Sequence, residues 1–191
     1  SDRYMVGVMQ KDPNITDPSE DTLYRCGTVL KIEQMLQLPG GLIRVLVEGI
    51  SRVYLTNIRQ EGTYFLTDVD DAEEIPPVDP LKAEAYRRNI LRTFFDWLRN
   101  TKQGLPDEQM DRLKQIEDPG ETADFIASQL MLVPKKRQKL LEEIDVMERI
   151  VDVQNCLNQE IAIGQLENEI NGEARKKMDK EQQDYYLRSK I

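Results

Sequence analysis

The chain has 191 residues, 32% of them charged and 39% hydrophobic, and its 26 Lys and Arg against 35 Asp and Glu leave a net charge of −9. That length suits one large domain or two small ones, and the acidic balance disfavours binding driven by nucleic-acid phosphates. No apolar run approaches the roughly 20 residues that span a bilayer, and without a histidine no His-based triad, His metal site or His general base can be assembled.

The chain up to Val78 reads as β-rich. Tyr4–Met9 is a predicted strand, and Lys11–Thr22 is a polar loop whose two Asp-Pro steps favour turns. Residues Leu23–Leu55 read as a long β-hairpin with its arms meeting at Pro39-Gly40-Gly41. Pro presets φ there and Gly tolerates the positive φ that such a turn needs. The returning arm alternates, with Ile43, Val45 and Val47 on one face and Leu42, Arg44, Leu46 and Glu48 on the other. A further strand is expected over Val53–Arg59, leading through Gln60-Glu61-Gly62 into another over Thr63–Val69. Short strands at this spacing suggest a small barrel or a sandwich-like sheet. The acidic run Asp70–Glu74 reads as exposed.

Ile75-Pro76-Pro77-Val78-Asp79-Pro80 reads as a boundary, because its Pro steps block regular pairing. Asp79 is placed to cap a helix that starts on Pro80, with an apolar stripe at Leu91, Phe94, Phe95 and Leu98 and a stop near Lys102-Gln103-Gly104. Pro106 opens a short helix carrying Met110, Leu113 and Ile116. Asp118-Pro119 repeats the cap-and-start device for a third, with Phe125, Ile126 and Leu130 inward. Pro134 begins the last and longest helical run, with apolar residues at Leu140, Ile144, Met147, Val151, Leu157 and Ile161, then more sparsely at Leu166 and Ile170. Past Gly164 the chain is highly charged, so this part is expected to project and to need a partner. The expected divisions are 1–78, a β-rich subdomain; 79–163, a helical bundle; and 164–191, a long charged helix.

No residue pattern here carries catalysis. There is no Gly-x-x-x-x-Gly-Lys-Ser/Thr loop, and Gly40-Gly41 lies between strands with no Lys or helix after it. The carboxylates Asp68, Asp70, Asp71, Glu73 and Glu74 lack the tight Gly turn of a metal loop. Adjacent helical residues such as Ser189 and Lys190 point apart, unlike a nucleophile and its base. Lys135-Lys136-Arg137 reads as a solvated face. Cys26 and Cys156 are far apart in sequence and read as reduced thiols rather than a disulfide framework. Ser1 to Gln10 has no basic region followed by an apolar one, so no secretory leader is expected, and cytoplasm or an organelle matrix is the default location. No catalytic, cofactor or metal residues are therefore expected.

What remains is surface for recognition. Met35, Leu36 and Leu38 stand at the hairpin end, where they either cover the sheet or bind a partner. Met178, Tyr185 and Tyr186 stand on the charged helix. Met178 and Tyr185, seven residues apart, share a face that reads either as an inter-helix seam or as an adaptable collar for unfolded polypeptide.

Four segments, GTVLKIEQMLQLPGGLIRVLVEG, EDPGETADFIASQLMLVPKKRQKLLEEIDVMERI, QLENEINGEARKKMDKEQQ and DYYLRSKI, resemble in order and spacing the N-terminal, substrate-facing region of the Lon ATP-dependent proteases. The resemblance covers essentially the whole chain. It implies an α+β fold: a PUA-like pseudo-barrel of strands, a helical bundle and a long projecting C-terminal helix. The family's domain begins with further strands upstream, so the sheet is expected to be incomplete, with an open edge. The resemblance also implies a non-catalytic piece of a homohexameric, cytoplasmic serine protease that uses ATP and magnesium in modules beyond this chain. Its partners would be unfolded or degron-tagged proteins and other subunits; the acidic balance and the lack of a long apolar run, rather than the resemblance, set nucleic acid and membrane aside as partners of this chain. The alternatives are a stand-alone adaptor that dimerises through its long helix, and a PUA-like RNA-binding module.

Overall fold

The computed structural model describes residues 2–190; Ser1 and Ile191, the outermost residues of the expected divisions 1–78 and 164–191, lie outside them. Strands β1 (Tyr4–Gly7), β2 (Cys26–Gln37), β3 (Ile43–Glu61) and β4 (Tyr64–Asp71) form one antiparallel sheet in the order β1-β2-β3-β4. The polar loop before β2 holds a single 3-10 turn at Glu20–Thr22. Five helices follow: α1 (Pro80–Thr101), α2 (Asp107–Gln115), α3 (Pro119–Gln129), α4 (Pro134–Glu142) and α5 (Val146–Ser189). The α+β class expected from the sequence holds.

The returning hairpin arm and the strand expected separately at Val53–Arg59 are one 19-residue strand, β3. It bends at irregularities instead of ending. Register shifts fall between Val29 and Leu30, between Ile32 and Gln34, and between Thr56 and Arg59, where Asn57 takes a φ of 50°. Such bulges increase local twist while keeping the ladder going.

The chain divides into two compact units, residues 1–76 with 132–146 and residues 77–131 with 147–191. The first carries the sheet. Leu23, Val53, Leu55 and Ile58 form its buried cluster, with Val6, Val8 and Val29 packed against it. The segment 132–146, read from sequence as part of the bundle, groups with these strands. Gln138 of α4 donates from Nε2 to the Cys26 carbonyl at 3.1 Å, and Arg52 Nε donates to the Leu141 carbonyl at 3.0 Å.

The single helix expected from Pro134 onward is broken into α4 and α5 for a related reason. The Ile75 N–H donates to the Ile144 carbonyl at 2.9 Å and the Val146 N–H donates to the Ile75 carbonyl at 3.1 Å. These groups serve a parallel bridge between Ile75 and Asp145 and so leave the helical ladder. The break also resets the buried face. Leu140, Val146, Ile150, Val153 and Leu157 are buried, where the sequence suggested Ile144, Met147 and Val151.

In the second unit, Asp79 caps α1 as expected, its carboxylate accepting from the N–H groups of Leu81 and Lys82 at 3.1 and 3.2 Å. Asp118 does the same for α3 through the Glu121 N–H at 2.9 Å. The inward face of α1 is Ala83, Ile90, Phe94 and Trp97, turned from the expected stripe; Leu91, Phe95 and Leu98 are half-buried at its margin. Phe94 and Trp97 stack at 5.9 Å. Leu113 of α2, Ala123 and Ile126 of α3 and Ile150, Val153 and Leu157 of α5 are buried in the same unit. Asn89 donates to Gln154, which donates to Thr93, each at 3.1 Å, tying α1 to α5. Buried Arg149 pairs with Asp124 of α3 at 3.1 Å. At 44 residues α5 is about 66 Å long, and every residue from 165 to 190 is exposed.

Candidate functional site

The distal part of the β2–β3 hairpin is the first candidate surface. Its turn closes through the Leu38 N–H, which donates to the Leu42 carbonyl at 2.7 Å, with Gly40 and Gly41 at φ of 84° and 76°. That region admits Gly without strain, so Pro39-Gly40-Gly41 fixes where the chain reverses and thereby fixes the register.

Residues paired across antiparallel strands share a face. Gln37 pairs with Ile43, Met35 with Val45, Ile32 with Val47 and Leu30 with Gly49. One face of the hairpin therefore presents Leu30, Ile32, Met35, Ile43, Val45 and Val47, with uncharged Gln37 beside Ile43 at the turn end and no charged residue among them. The other presents Lys31, Gln34, Leu36, Arg44, Leu46 and Glu48. The register shifts by one residue at the bulge, where Glu33 is left out of the pairing, and this is what puts Met35 on the same face as Ile32. Met35 and Ile43 are 56% and 57% exposed, so neither is spent on covering the core.

Of the three hairpin residues singled out by sequence, Met35 lies on the uncharged face, Leu36 is exposed on the mixed face, and Leu38 is half-buried at the turn. Reading them as neighbours in sequence missed that Met35 and Leu36 point to opposite sides. The alternation of Ile43, Val45 and Val47 was the signal for the rest of the face, since strand period 2 puts all three on Met35's side.

The second candidate surface is α5 beyond residue 162. Ile163, Leu166, Ile170, Met178, Tyr185 and Tyr186 are all exposed. Met178 and Tyr185 border one shallow groove with Glu181 and Gln182; Tyr186 borders another with Asp179, Gln182 and Gln183. Lys190 Nζ stands 4.6 Å from the centre of the Tyr186 ring, and Ser189 Oγ donates to the Tyr186 carbonyl. The hairpin residues and the α5 residues belong to different compact units.

The acidic run after β4 is dispersed. Asp68 accepts from Asn57 and Arg59, Glu74 pairs with Arg52 at 3.1 Å, and Ala72 between them is buried. Among the described residues no three His, Cys, Asp or Glu side chains are grouped as a metal site. Among the described residues three ionisable groups are perturbed, Glu84, its partner Arg87 and Cys26, and all three serve structure. Hydrogen bonds from Arg87 and Arg88 pull the Glu84 carboxyl down to about 2. Burial, then the nearby Glu142 charge, pushes the Cys26 thiol up against a smaller opposing effect of Arg52. Among the described residues no helix is long and apolar enough to cross a membrane.

A family profile described as the ATP-dependent protease La (LON) substrate-binding domain matches residues 1–159. The Lon protease of Brevibacillus choshinensis is 35% identical over 182 residues, which cover 95% of this chain and 23% of that protein. Lon protease of Desulforamulus reducens is 35% identical over 188 residues, covering 98% and 23%. Lon protease 1 of Bacillus subtilis is 35% identical over 182 residues, covering 95% and 23%. The chain thus spans under a quarter of the length of these curated relatives. A solved structure of the N terminal domain of Mycobacterium avium complex Lon protease superposes with a TM-score of 0.61 at 20% identity, covering 82% of this chain and 91% of that one, which shows a shared fold. With the profile spanning the whole sheet, α1 to α4 and the start of α5, the chain belongs to the family of LON substrate-binding domains.

Proposed function

We propose that this chain recognises unfolded or degron-bearing protein segments through the distal β2–β3 hairpin and delivers them to an ATP-driven unfolding motor and Ser-Lys protease in the same parent protein. The observation that carries the reading is the uncharged apolar face of the hairpin, with Met35 and Ile43 more than half exposed. Folded proteins hide the apolar segments that would match such a face, so it selects by the state of the partner rather than by its identity. Leu36 and Leu38 extend the contact to the other side and to the turn. Each contact is weak, and six copies around one entrance of a homohexamer would retain a chain that one copy releases.

On α5, Met178 and Tyr185 serve assembly with other subunits. Tyr186, about 100° round the helix from Tyr185, stays open to substrate. ATP and magnesium belong to the parent's motor in this reading, and no residue of this chain is assigned to them. The thiol state of Cys26 and Cys156 fits a reducing compartment such as the cytoplasm.

The test is a titration of the 191-residue chain with a protein that unfolds reversibly, in its folded and unfolded forms. Tighter binding of the unfolded form is expected, and equal affinity overturns the reading. Mutation-sensitive hydrolysis of ATP or peptide by this chain alone would overturn the assignment of chemistry to other modules.

A further inference from the structure

The hydrogen-bond parity of the hairpin fixes which backbone groups of β3 point away from β2. In an antiparallel pair, opposed residues alternate between pairs that bond each other and pairs whose N–H and C=O groups face outward. The Leu38 N–H donates to the Leu42 carbonyl. Counting along the register from there, Leu36 bonds with Arg44 and Gln34 with Leu46, while Met35 and Val45, like Gln37 and Ile43, turn their groups outward. Past the unpaired Glu33 the parity of β3 continues. The Ile32 N–H donates away from β3, to the Arg3 carbonyl at 2.8 Å, so Val47 opposite Ile32 also faces outward.

The outward backbone groups of β3 therefore belong to Ile43, Val45, Val47 and, paired with Leu30, Gly49. These are residues of the uncharged face. A slip of one residue would have given that edge to Arg44, Leu46 and Glu48 instead. The outer edge of β2 is shorter: Arg3 takes the Ile32 N–H and Glu33 interrupts the ladder, which leaves Met35 and Gln37. On β3 the last bond to β4's side comes from the Ala72 N–H to the Arg52 carbonyl at 3.2 Å. Among the described residues no strand pairs with that edge from there to the turn.

We propose that a substrate segment adds to this edge of β3 as an antiparallel strand, in line with β4, with apolar side chains at every second position opposite Ile43, Val45 and Val47. Residues opposed across a ladder share a face. The positions of the segment that bond to β3 are thus the same positions whose side chains cover the apolar face. Its other side chains fall beside Arg44, Leu46 and Glu48, where polar residues are accommodated. Direction follows from two effects. An antiparallel ladder is slightly more stable per residue than a parallel one. It also puts the leading end of the segment next to Ala72, where Asp71 and Glu73 are exposed. A Lys or Arg ahead of the apolar alternation meets those carboxylates; a parallel strand would bring its trailing end there. The occupant is an extended segment with a cation first and alternating apolar residues after it.

The added strand rests on the hairpin as the capture surface proposed above, and it can fail while that surface stands. The probe is a fluorescein-labelled peptide, Lys-Lys-Val-Thr-Val-Thr-Val-Thr, with two derivatives of equal methyl content: one N-methylated at every Val, the other at every Thr. The 191-residue chain should bind the Thr-methylated form like the parent and the Val-methylated form at least about tenfold more weakly, since only the Val amides donate to β3. Val45→Pro is the protein arm. It removes an outward N–H and leaves the β2–β3 bonds in place, as Pro does on a free edge, and should weaken the parent peptide more than Val45→Thr does. Amide exchange at Val45 and Val47 should slow when the peptide binds. Equal binding of the two methylated forms overturns the added strand and leaves side-chain capture by the hairpin standing. Slowed exchange at Met35 and Gln37 instead of Val45 and Val47 overturns the choice of edge. A doubled mass of the free chain with Val45 and Val47 already protected shows a second copy filling the edge and overturns it too. No binding of the parent peptide overturns the added strand; no binding of an unfolded protein, measured on the same samples, overturns the hairpin reading with it.

Discussion

Replacing Met35 and Ile43 together with Thr tests the hairpin face most directly. Both side chains are on the uncharged face, just over half exposed, and Thr preserves strand propensity while removing apolar surface. Fully burying a Met or Ile side chain is worth about 1.5–3 kcal/mol. Here the sheet already covers nearly half of each, so a ligand gains roughly 1 kcal/mol per side chain. The double variant should therefore weaken binding of an unfolded polypeptide by about 2 kcal/mol at most, or roughly 30-fold. Stability should hardly move, because substitutions on exposed surface usually change it by about 0.5 kcal/mol or less. Fluorescence anisotropy with a labelled unfolded chain gives the affinity, and circular dichroism gives Tm. Met131→Thr is the control: Met131 is 83% exposed and lies outside the hairpin, so its loss should leave affinity unchanged. If the double variant binds within about twofold of wild type at unchanged Tm, or if Met131→Thr weakens binding equally, generic stickiness rather than the hairpin face holds the ligand.

Three further outcomes concern the scaffold. Phe94→Ala should cost about 3–5 kcal/mol in denaturant unfolding because its ring is fully buried beside Trp97, and half-buried Leu91→Ala should cost clearly less; the reverse order would restore the helix face that periodicity suggested. Glu84 sits near 2 in the fold against an ordinary 4.5, so its contribution is complete above 4.5 and is lost as pH falls toward 2. Tm of wild type and Glu84→Gln should accordingly converge across that window, and a gap that stays constant would show that the Arg87 and Arg88 hydrogen bonds do not act through the carboxylate charge. Cys26, buried and held as thiol, should resist iodoacetamide at mildly alkaline pH in the folded chain and react once it unfolds; ready modification of the native protein, read by peptide mass, would contradict that burial.

What the sequence made legible follows from how local each signal is. The Asp79-Pro80 and Asp118-Pro119 starts and the Pro39-Gly40-Gly41 reversal are set by neighbouring atoms, and the structure contains all three. The break between α4 and α5 depends on Ile75, some seventy residues away, whose backbone bonds to both sides of Asp145; no local pattern encodes it. The same bridge carries 132–146 into the sheet unit, which a boundary read from Pro76 and Pro77 cannot anticipate. Arg149 is a sharper case. A single arginine on a helix reads as surface, and it is buried only because Asp124 of α3 meets it at 3.1 Å. At the candidate site, Met35 was legible as a residue at the hairpin end that either covers the sheet or binds a partner, and the alternation of β3 was legible as a face. Joining them needed the register, which the unpaired Glu33 shifts by one residue.

The hairpin combines two properties that bear on how it discriminates. β1 pairs with β2 only over Thr28–Lys31 in the sheet register, and β4 pairs with β3 only from Val53 onward. Among the described residues no strand flanks Gln34–Gln37 or Ile43–Ser51 on the outer side, so each distal arm has backbone groups on an open edge beside the apolar face. An extended polypeptide can satisfy both: its backbone adds to the edge while alternate apolar side chains lie on the face. A folded protein offers neither, because its backbone groups are already paired and its apolar side chains are inside. The same open edge invites self-association. Lys31, Arg44 and Glu48 on the opposite face disfavour a different association, the stacking of a second hairpin there, since it must bury or pair those charges. The arrangement is permissive toward unfolded chains on one side and guarded on the other, and that asymmetry, more than apolar content alone, makes a recognition surface out of a strand that a stable domain would otherwise cover.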